Sequence, residues 1–477
     1  MAIITQDYEN EQQFSNRAYH FFKHYKIGDI LRKSNAYKHC GIPVVTVVIY
    51  LFLLVFRNRS LNLDMSSVRK SCSFCRDTVY RLKNSLYINW QRFTTLLSAK
   101  IITESIQPLT SDERRNVFII DDTIFERGRS KQVELLSWKF DHARHKTVRG
   151  FQLLTLSWSD GVTQIPVNFC LSSSTKEEKR INESKTVPVN SAAAHRRKLA
   201  KMKKTDVVPL LLKEAVSAGI SAKYVLFDSW YCIPKVIHQL KSMNLHTVAM
   251  VKKGPQKYQL NGKLLNCKEI FAAYKKRRGR SKYLLSVVVM LPYRPEKEKN
   301  AKERPEEILI PVKLVYVRNR NKRNEYLVLM STDLSLTAEE IIQLYGKRWG
   351  IEVFFKTCKS VLKLTGECQS ISYDAMCSHC AIVFARYMLL ALEARKEQDP
   401  RTAGPIFCLI SDEIADVSFQ HVFELLQQIW KNLLREFKLP EQQIAALFDA
   451  LTANLPADIA ALLGLRGNTG ASITHFG

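Results

Sequence analysis

Apolar residues along the chain follow two periods, and the change between them divides it. Through about residue 105 they recur at helical spacing. The longest apolar run, Ile42 to Phe56, carries Pro43 and Thr46 and is short for a bilayer, so it reads as a buried helix. After "LTSDERRN" short strand-like runs take over. "VFIIDDTIF" (Val117 to Phe125) holds paired acids, and Phe151 to Leu171 places Ser159-Asp160-Gly161 between two apolar stretches, a hairpin signal. Ser172 to Lys204 is polar and basic and reads as exposed or mobile surface. A helix from about Thr205 to Val216 then leads through Gly219 to the strand Tyr224 to Asp228, a helix near Pro234 to Met243 and the strand His246 to Lys253. Strand, hairpin, helix, strand, helix, strand is an order that predicts one mixed sheet covered by helices.

From about Gly254 to Thr332 the chain is basic and strand-rich, a β insertion with basic loops such as Tyr274 to Lys282. Beside a reactive site such loops suit phosphate; elsewhere they are solvated surface. Thr337 followed by Glu340 is a capping signal for a helix running towards Leu364, with Gly346 or Gly350 as a point of interruption. Within it Tyr345, Arg348, Glu352 and Lys359 fall in a stripe roughly 60° wide, and Leu344, Ile351, Phe355, Cys358 and Leu362 lie beside them. A further helix reaches Arg395. A linker (Lys396 to Pro405), a mostly helical C-terminal region and a loose tail, Arg466 to Gly477, complete the chain. The boundaries are a helical N-terminal region at 1–105, an α/β core at 106–253 and 333–385 split by the β-rich segment 254–332, and a helical C-terminal region at 386–477.

Charge narrows the class of partner. Lys plus Arg number 72 against 45 Asp plus Glu, a net charge of +27 that recurs in many segments. That favours a polyanion, with nucleic acid ahead of an anionic membrane. Met1 to Gln13 lacks the features of a secretion signal, and eleven scattered cysteines suit a reducing compartment. Cys72/Cys75 and Cys377/Cys380 form two CxxC pairs, yet both sit in helical patterns 300 residues apart and read as buried thiols without metal. Arg69 to Leu82 resembles the second helix of a helix-turn-helix, with Arg76, Thr78 and Arg81 outward and Val79 and Leu82 inward; an ordinary amphipathic helix has the same pattern.

The candidate chemistry is carboxylate chemistry. Asp122, or its neighbour Asp121, and Asp228 stand at the ends of apolar strands, where side chains converge on an open face of an α/β sheet. Glu352 would add a third acid, and three carboxylates can hold hard divalent ions for phosphoryl transfer. Each acid also has a plain structural reading, since a strand-terminal Asp caps helices and a Glu between Arg348 and Lys359 forms ion pairs.

Tyr345-x2-Arg348-x3-Glu352-x6-Lys359, with Trp349 after the arginine and Ile351 before the glutamate, resembles the Y-R-E-K signature of bacterial insertion-sequence transposases of the IS-four group. "IIDDTIF" and "VLFDSWY" resemble that family's two aspartate segments, although Phe227 replaces the small residue often found there. The resemblance spans about residues 110 to 385. It implies an RNase H-like core, a mixed sheet flanked by helices with a β-rich insertion. It implies that Asp122, chosen over Asp121 because it precedes Thr123, binds catalytic Mg²⁺ with Asp228 and Glu352, two ions in all, with Mn²⁺ as a substitute.

By the same resemblance Tyr345, Arg348 and Lys359 hold DNA phosphates, and Trp349 stacks on a displaced base or serves as a core tryptophan. Lys146 and Arg149, in "DHARHKTVRG", are expected to touch DNA, while His142 and His145 are poor ligands for hard ions. The implied activity is cleavage at terminal inverted repeats and joining of 3'-hydroxyls to target DNA, by a homodimer on double-stranded DNA in the bacterial cytoplasm, nucleoid-associated and without a membrane. A nuclease of the same fold without strand transfer, or a DNA-binding regulator, are the competing readings.

Overall fold

The computed structural model describes residues 17–67, 72–110, 114–277, 281–296, 305–319, 322, 325–395, 403–437, 439–455 and 459. The Met1 to Gln13 stretch, the Arg466 to Gly477 tail, residues 396–402 of the expected linker, Arg69 to Ser71 of the Arg69 to Leu82 segment and Arg278 to Arg280 of the basic loop lie outside them.

Among the described residues eleven strands form one sheet. Its centre is β1 (Val117–Glu126), flanked on one side by β3 (Lys146–Ser159), to which β2 (Ser137–Asp141) and β4 (Gln164–Ser172) pair, and on the other by β5 (Tyr224–Phe227) and β6 (His246–Val251). β1, β3 and β4 run antiparallel, while β5 and β6 run parallel to β1. Three antiparallel strands followed by two parallel ones, with helices against the faces, is the RNase H-like arrangement. The strands after residue 254 continue this sheet: β11 (Tyr326–Ser331) pairs antiparallel with β6, followed outward by β10 (Ile308–Arg318), β9 (Leu285–Tyr293), β7 (Lys257–Leu260) and β8 (Lys263–Asn266).

Local chemistry explains several elements. The β3–β4 turn has Gly161 at φ +101°, and Asp160 Oδ1 accepts from the amides of Val162 (2.9 Å) and Thr163 (2.8 Å), so the turn is closed by its own side chain. Gly150 is required for a different reason, because a Cβ there would lie 2.4 Å from the Phe125 carbonyl oxygen of the neighbouring strand. A reciprocal capping box between Thr337 and Glu340 starts the helix Ala338–Gly346, and Pro234 opens the helix Pro234–Lys241.

The N-terminal helices dock directly on the sheet. Helix Trp90–Ile101 sends Gln91 Nε2 to the Phe169 carbonyl (2.7 Å) and Thr95 Oγ1 to the Val167 carbonyl (3.1 Å) of β4. The apolar run after Ile42 forms the buried helix Val44–Leu53. Helix Tyr373–Arg395 is long and apolar enough to cross a membrane by length and composition, but 89% of its apolar window is buried here against sheet and helices. Its Phe384 meets Phe169 of β4, and Arg386 donates to the carbonyls of Phe52 (3.0 Å) and Leu51 (2.6 Å). In helix Arg76–Lys83, Val79 and Leu82 face inward as expected; Thr78 is buried with them, so it has no outward role, while Arg81 is exposed. Cys377 and Cys380 are buried thiols, whereas Cys75 is exposed.

The stretch Ser172 to Lys204 is the clearest departure from the sequence reading. It contains helix Ala192–Lys201, whose Arg196 and Arg197 are buried. Arg197 pairs with Glu134 (2.8 Å) and Asp374 (2.7 Å), and Arg196 with Asp374 (2.6 Å). Arg196 also donates to the carbonyls of Ile88 (2.8 Å) and Ser85 (3.0 Å), and Glu134 accepts from the amides of Lys185 (2.9 Å) and Tyr373 (3.1 Å). Two guanidiniums and two carboxylates thus balance in charge with their hydrogen-bonding capacity largely used, which makes their burial tolerable. Removing one partner strands the others. Asp374→Ala is expected to cost about 3–5 kcal/mol in urea unfolding, and a double-mutant cycle of Arg197 and Glu134 should show strong non-additivity. Additive losses would contradict the coupling.

Candidate active site: four acids and two internal cations

The parallel register of β1 and β5 creates the site. Ile120 lies opposite Phe227, so the next residues along the two strands, Asp121 and Asp228, emerge at one level. Successive strand residues point to opposite faces, and the contacts of the two β1 acids divide accordingly. Asp121 turns to the helix Trp349–Ser360: Arg348 Nη1 donates to Asp121 Oδ2 at 2.6 Å and Nη2 donates to Glu352 Oε1. Two residues further on the same face, Thr123 accepts from Lys359 Nζ at 2.6 Å. Asp122 instead receives the Tyr231 hydroxyl and the Lys204 ammonium, both on Oδ2. Asp228 Oδ1 accepts from the Trp230 amide at 2.9 Å, and the turn that follows carries Tyr231 back to Asp122.

The helix is aimed by its apolar side. Leu344, Ile351, Phe354, Phe355, Cys358 and Leu362 are buried, and Phe354 packs on Phe384 and Tyr387 at 5.1 and 4.7 Å between ring centroids. The polar stripe spans two helices, because the first ends at Gly346 and the second begins at Trp349; Gly350 lies inside the second. Arg348 sits at the junction, its guanidinium 6.0 Å from the Tyr345 ring centroid.

Electrostatics follow from this crowding. Burial pushes the Asp121 carboxyl up to about 7 against the pull of Arg348, with Asp228 and Asp122 adding to the rise. Burial raises Asp228 as well, and Asp122 adds to that rise. Tyr231 is almost wholly buried and stays a phenol far above its ordinary range, so it serves Asp122 as a donor. Burial also lifts Tyr345 to about 12 and lowers the Lys359 ammonium.

The structure therefore brings Asp121, Asp122, Asp228, Glu352, Tyr345, Arg348 and Lys359 into one region. Trp349 is 66% exposed, which excludes a core role. Lys146 is exposed at the start of β3, while Arg149 on the same strand donates to the Gly128 carbonyl. His142 lies 5.6 Å from the exposed Trp230 ring. Lys204 was missed by sequence reasoning. It lies 82 positions from Asp122 within a run of basic residues, and no spacing marks it out. Tyr231 lies in "VLFDSWY", three residues after Asp228, but its hydrogen bond to Asp122 has no mark in the sequence.

Among the described residues no three potential ligands stand ready around a single point; Arg348 bridges Asp121 and Glu352, and Lys204 holds Asp122. The donor set itself, four carboxylates of which two are held above their ordinary pKa chiefly by burial, is hard, so it fits divalent ions that take oxygen ligands.

Asp121 also makes stability depend on pH. Its carboxyl binds a proton more tightly in the folded chain (about 7) than when free (3.8). Its stabilising contribution is complete below about pH 4 and is lost as pH rises through about 7. Urea unfolding of the chelator-treated protein from pH 4 to 8 should show this decline, and Asp121→Asn should flatten it; an unchanged slope would contradict the assignment.

Residues 76–265 match the family described as "DDE superfamily endonuclease" and residues 192–389 that described as "Transposase DDE domain". The first range contains Asp121, Asp122 and Asp228; the second contains Asp228 and Glu352. No curated protein matches the chain. Among solved structures, the cryo-EM structure of the piggyBac transposase synaptic complex with hairpin DNA is 12% identical, with 85% of this chain and 81% of that chain covered and a TM-score of 0.40, an overlap too loose to align single residues. The two family ranges overlap across the strand that leads to Asp228 and together enclose every acid of the site: the chain carries DDE-superfamily transposase domains and is a DNA transposase enzyme.

Proposed function

We propose that this transposase cuts DNA at the terminal inverted repeats of its element and joins the freed 3'-hydroxyls to target DNA, and that it stands nearest the IS-four group. The observation that carries this reading is the bridge Arg348 makes between Glu352 and Asp121, which stands level with Asp228, with Lys359 on Thr123 at the signature spacing. Asp122, Asp228 and Glu352 are the Mg²⁺ ligands implied by the resemblance. Asp121, level with Asp228 and tied to Glu352 through Arg348, supplies a fourth oxygen donor.

Divalent ions held there would activate the attacking oxygen and stabilise the leaving one. The chain's own residues do the rest. Tyr231 fixes the carboxylate of Asp122 and, being three residues from Asp228, sets the turn that carries it. Arg348 offers a planar fork and Lys359 a point charge to phosphate oxygens. Tyr345, beneath the guanidinium, and exposed Trp349 complete the surface for a DNA end, with Lys146 and Arg149 beyond it. Two ends must be held together for strand transfer, which calls for two copies of the chain. A nuclease of the same fold would cut without preference for inverted repeats and leave no joined product.

The test is a reaction of the purified chain with DNA ending in the element's inverted repeats and Mg²⁺. Cleaved ends bearing 3'-hydroxyls and joined products are expected. Glu352→Gln should reduce both at least about a hundredfold, within the range seen when a group stabilising transition-state charge is removed, while DNA binding persists. Joining that survives Glu352→Gln would refute the assignment. Binding should weaken steeply with salt.

A further inference from the structure

We propose that Lys204 is a resident counter-ion of the acid cluster: its ammonium holds Asp122 while no divalent ion is bound, and passes to a DNA phosphate when one binds. The inference rests on the metal-site reading above and adds a residue outside the signature that carries it.

Three observations converge on Lys204. Its Nζ sits on Asp122 Oδ2, the oxygen that also accepts the Tyr231 hydroxyl, and lies 5.7 Å from the Tyr231 ring centroid. It is the first residue of the helix Lys204–Ser217, where the positive end of the helix dipole opposes a cation, so the acid rather than the helix accounts for its placement. Positive charge is already dense at this point: burial and then the Lys204 charge hold the ammonium of Lys139 down to about 8.

An ion of charge two cannot share Asp122 Oδ2 with an ammonium, because like charges repel strongly in a partly buried site. Lys204 has a long flexible stem and is about a quarter exposed, so its head can swing from the partly buried carboxylate towards solvent. A phosphate oxygen brought to the neighbouring acids by DNA is the anion within its reach. Lysine therefore weakens metal binding in the absence of DNA and strengthens it when DNA offers the ammonium a new partner. By linkage, metal and DNA each raise the affinity for the other.

The experiment measures Mn²⁺ affinity of the full chain by calorimetry, and free Mn²⁺ by electron paramagnetic resonance, with and without duplex ending in the inverted repeat. Lys204→Met should bind Mn²⁺ about tenfold more tightly without DNA, a size typical of coupling between sites, and should lose most of the enhancement that DNA produces. Lys204→Gln should shift the same way and Lys204→Arg should stay close to the unaltered chain, with circular dichroism verifying folding. Affinity unchanged or weaker in both uncharged variants overturns the proposal while leaving the metal site standing. Failure of Mn²⁺ to bind the unaltered chain, or binding indifferent to Asp228→Asn, overturns the metal-site reading and this inference together.

Discussion

The parallel pairing of β1 with β5 is the constraint from which the site follows. With Ile120 opposite Phe227, Asp121 within β1 and Asp228 just past the end of β5 stand at one height, and no later adjustment could bring them together if the register slipped by one. Strand alternation then gives Asp121 and Asp122 different neighbours. One meets the signature helix through Arg348, the other meets Tyr231 and Lys204. Adjacent acids on one strand thus do two separate tasks, and the choice between them cannot be made from the pair "DD" alone.

Much of this was legible in the sequence because local chemistry wrote it there. The paired acids after an apolar run, the Ser159-Asp160-Gly161 turn and the Thr337/Glu340 cap each depend on neighbours a few residues away. The helix carrying Glu352 was legible for the same reason, since period 3.6 separates its buried side from its polar one. Its interruption at Arg348 was only approximately so, because both Gly346 and Gly350 could have broken it and the second did not.

What could not be read were pairings across long separations. Arg196 and Arg197 look like surface cations in a run of lysines and arginines; their carboxylate partners, Glu134 and Asp374, are 63 and 177 positions away in the closest cases. Lys204 belongs to the same run. Charged residues carry no periodic mark of burial, since only a partner makes burial tolerable and the partner is set by tertiary folding. The strands after residue 254 illustrate the point in backbone form: an insertion in sequence became a continuation of the sheet because β11 found an open edge on β6.

The ion network also sets a schedule for synthesis. Arg196 and Arg197 leave the ribosome long before Asp374, and at about 5–20 residues per second the interval before that acid emerges is on the order of 10 to 40 s. Until then Glu134 is the one acid of the network present for two guanidiniums, while the carbonyls of Ser85 and Ile88 that Arg196 also uses have already emerged. The nascent chain therefore spends that interval with two guanidiniums and only one of their two acids. Anything that shields basic segments during translation, including the nucleic acids around the ribosome, has that long to act on them before the fold withdraws two of the arginines for good.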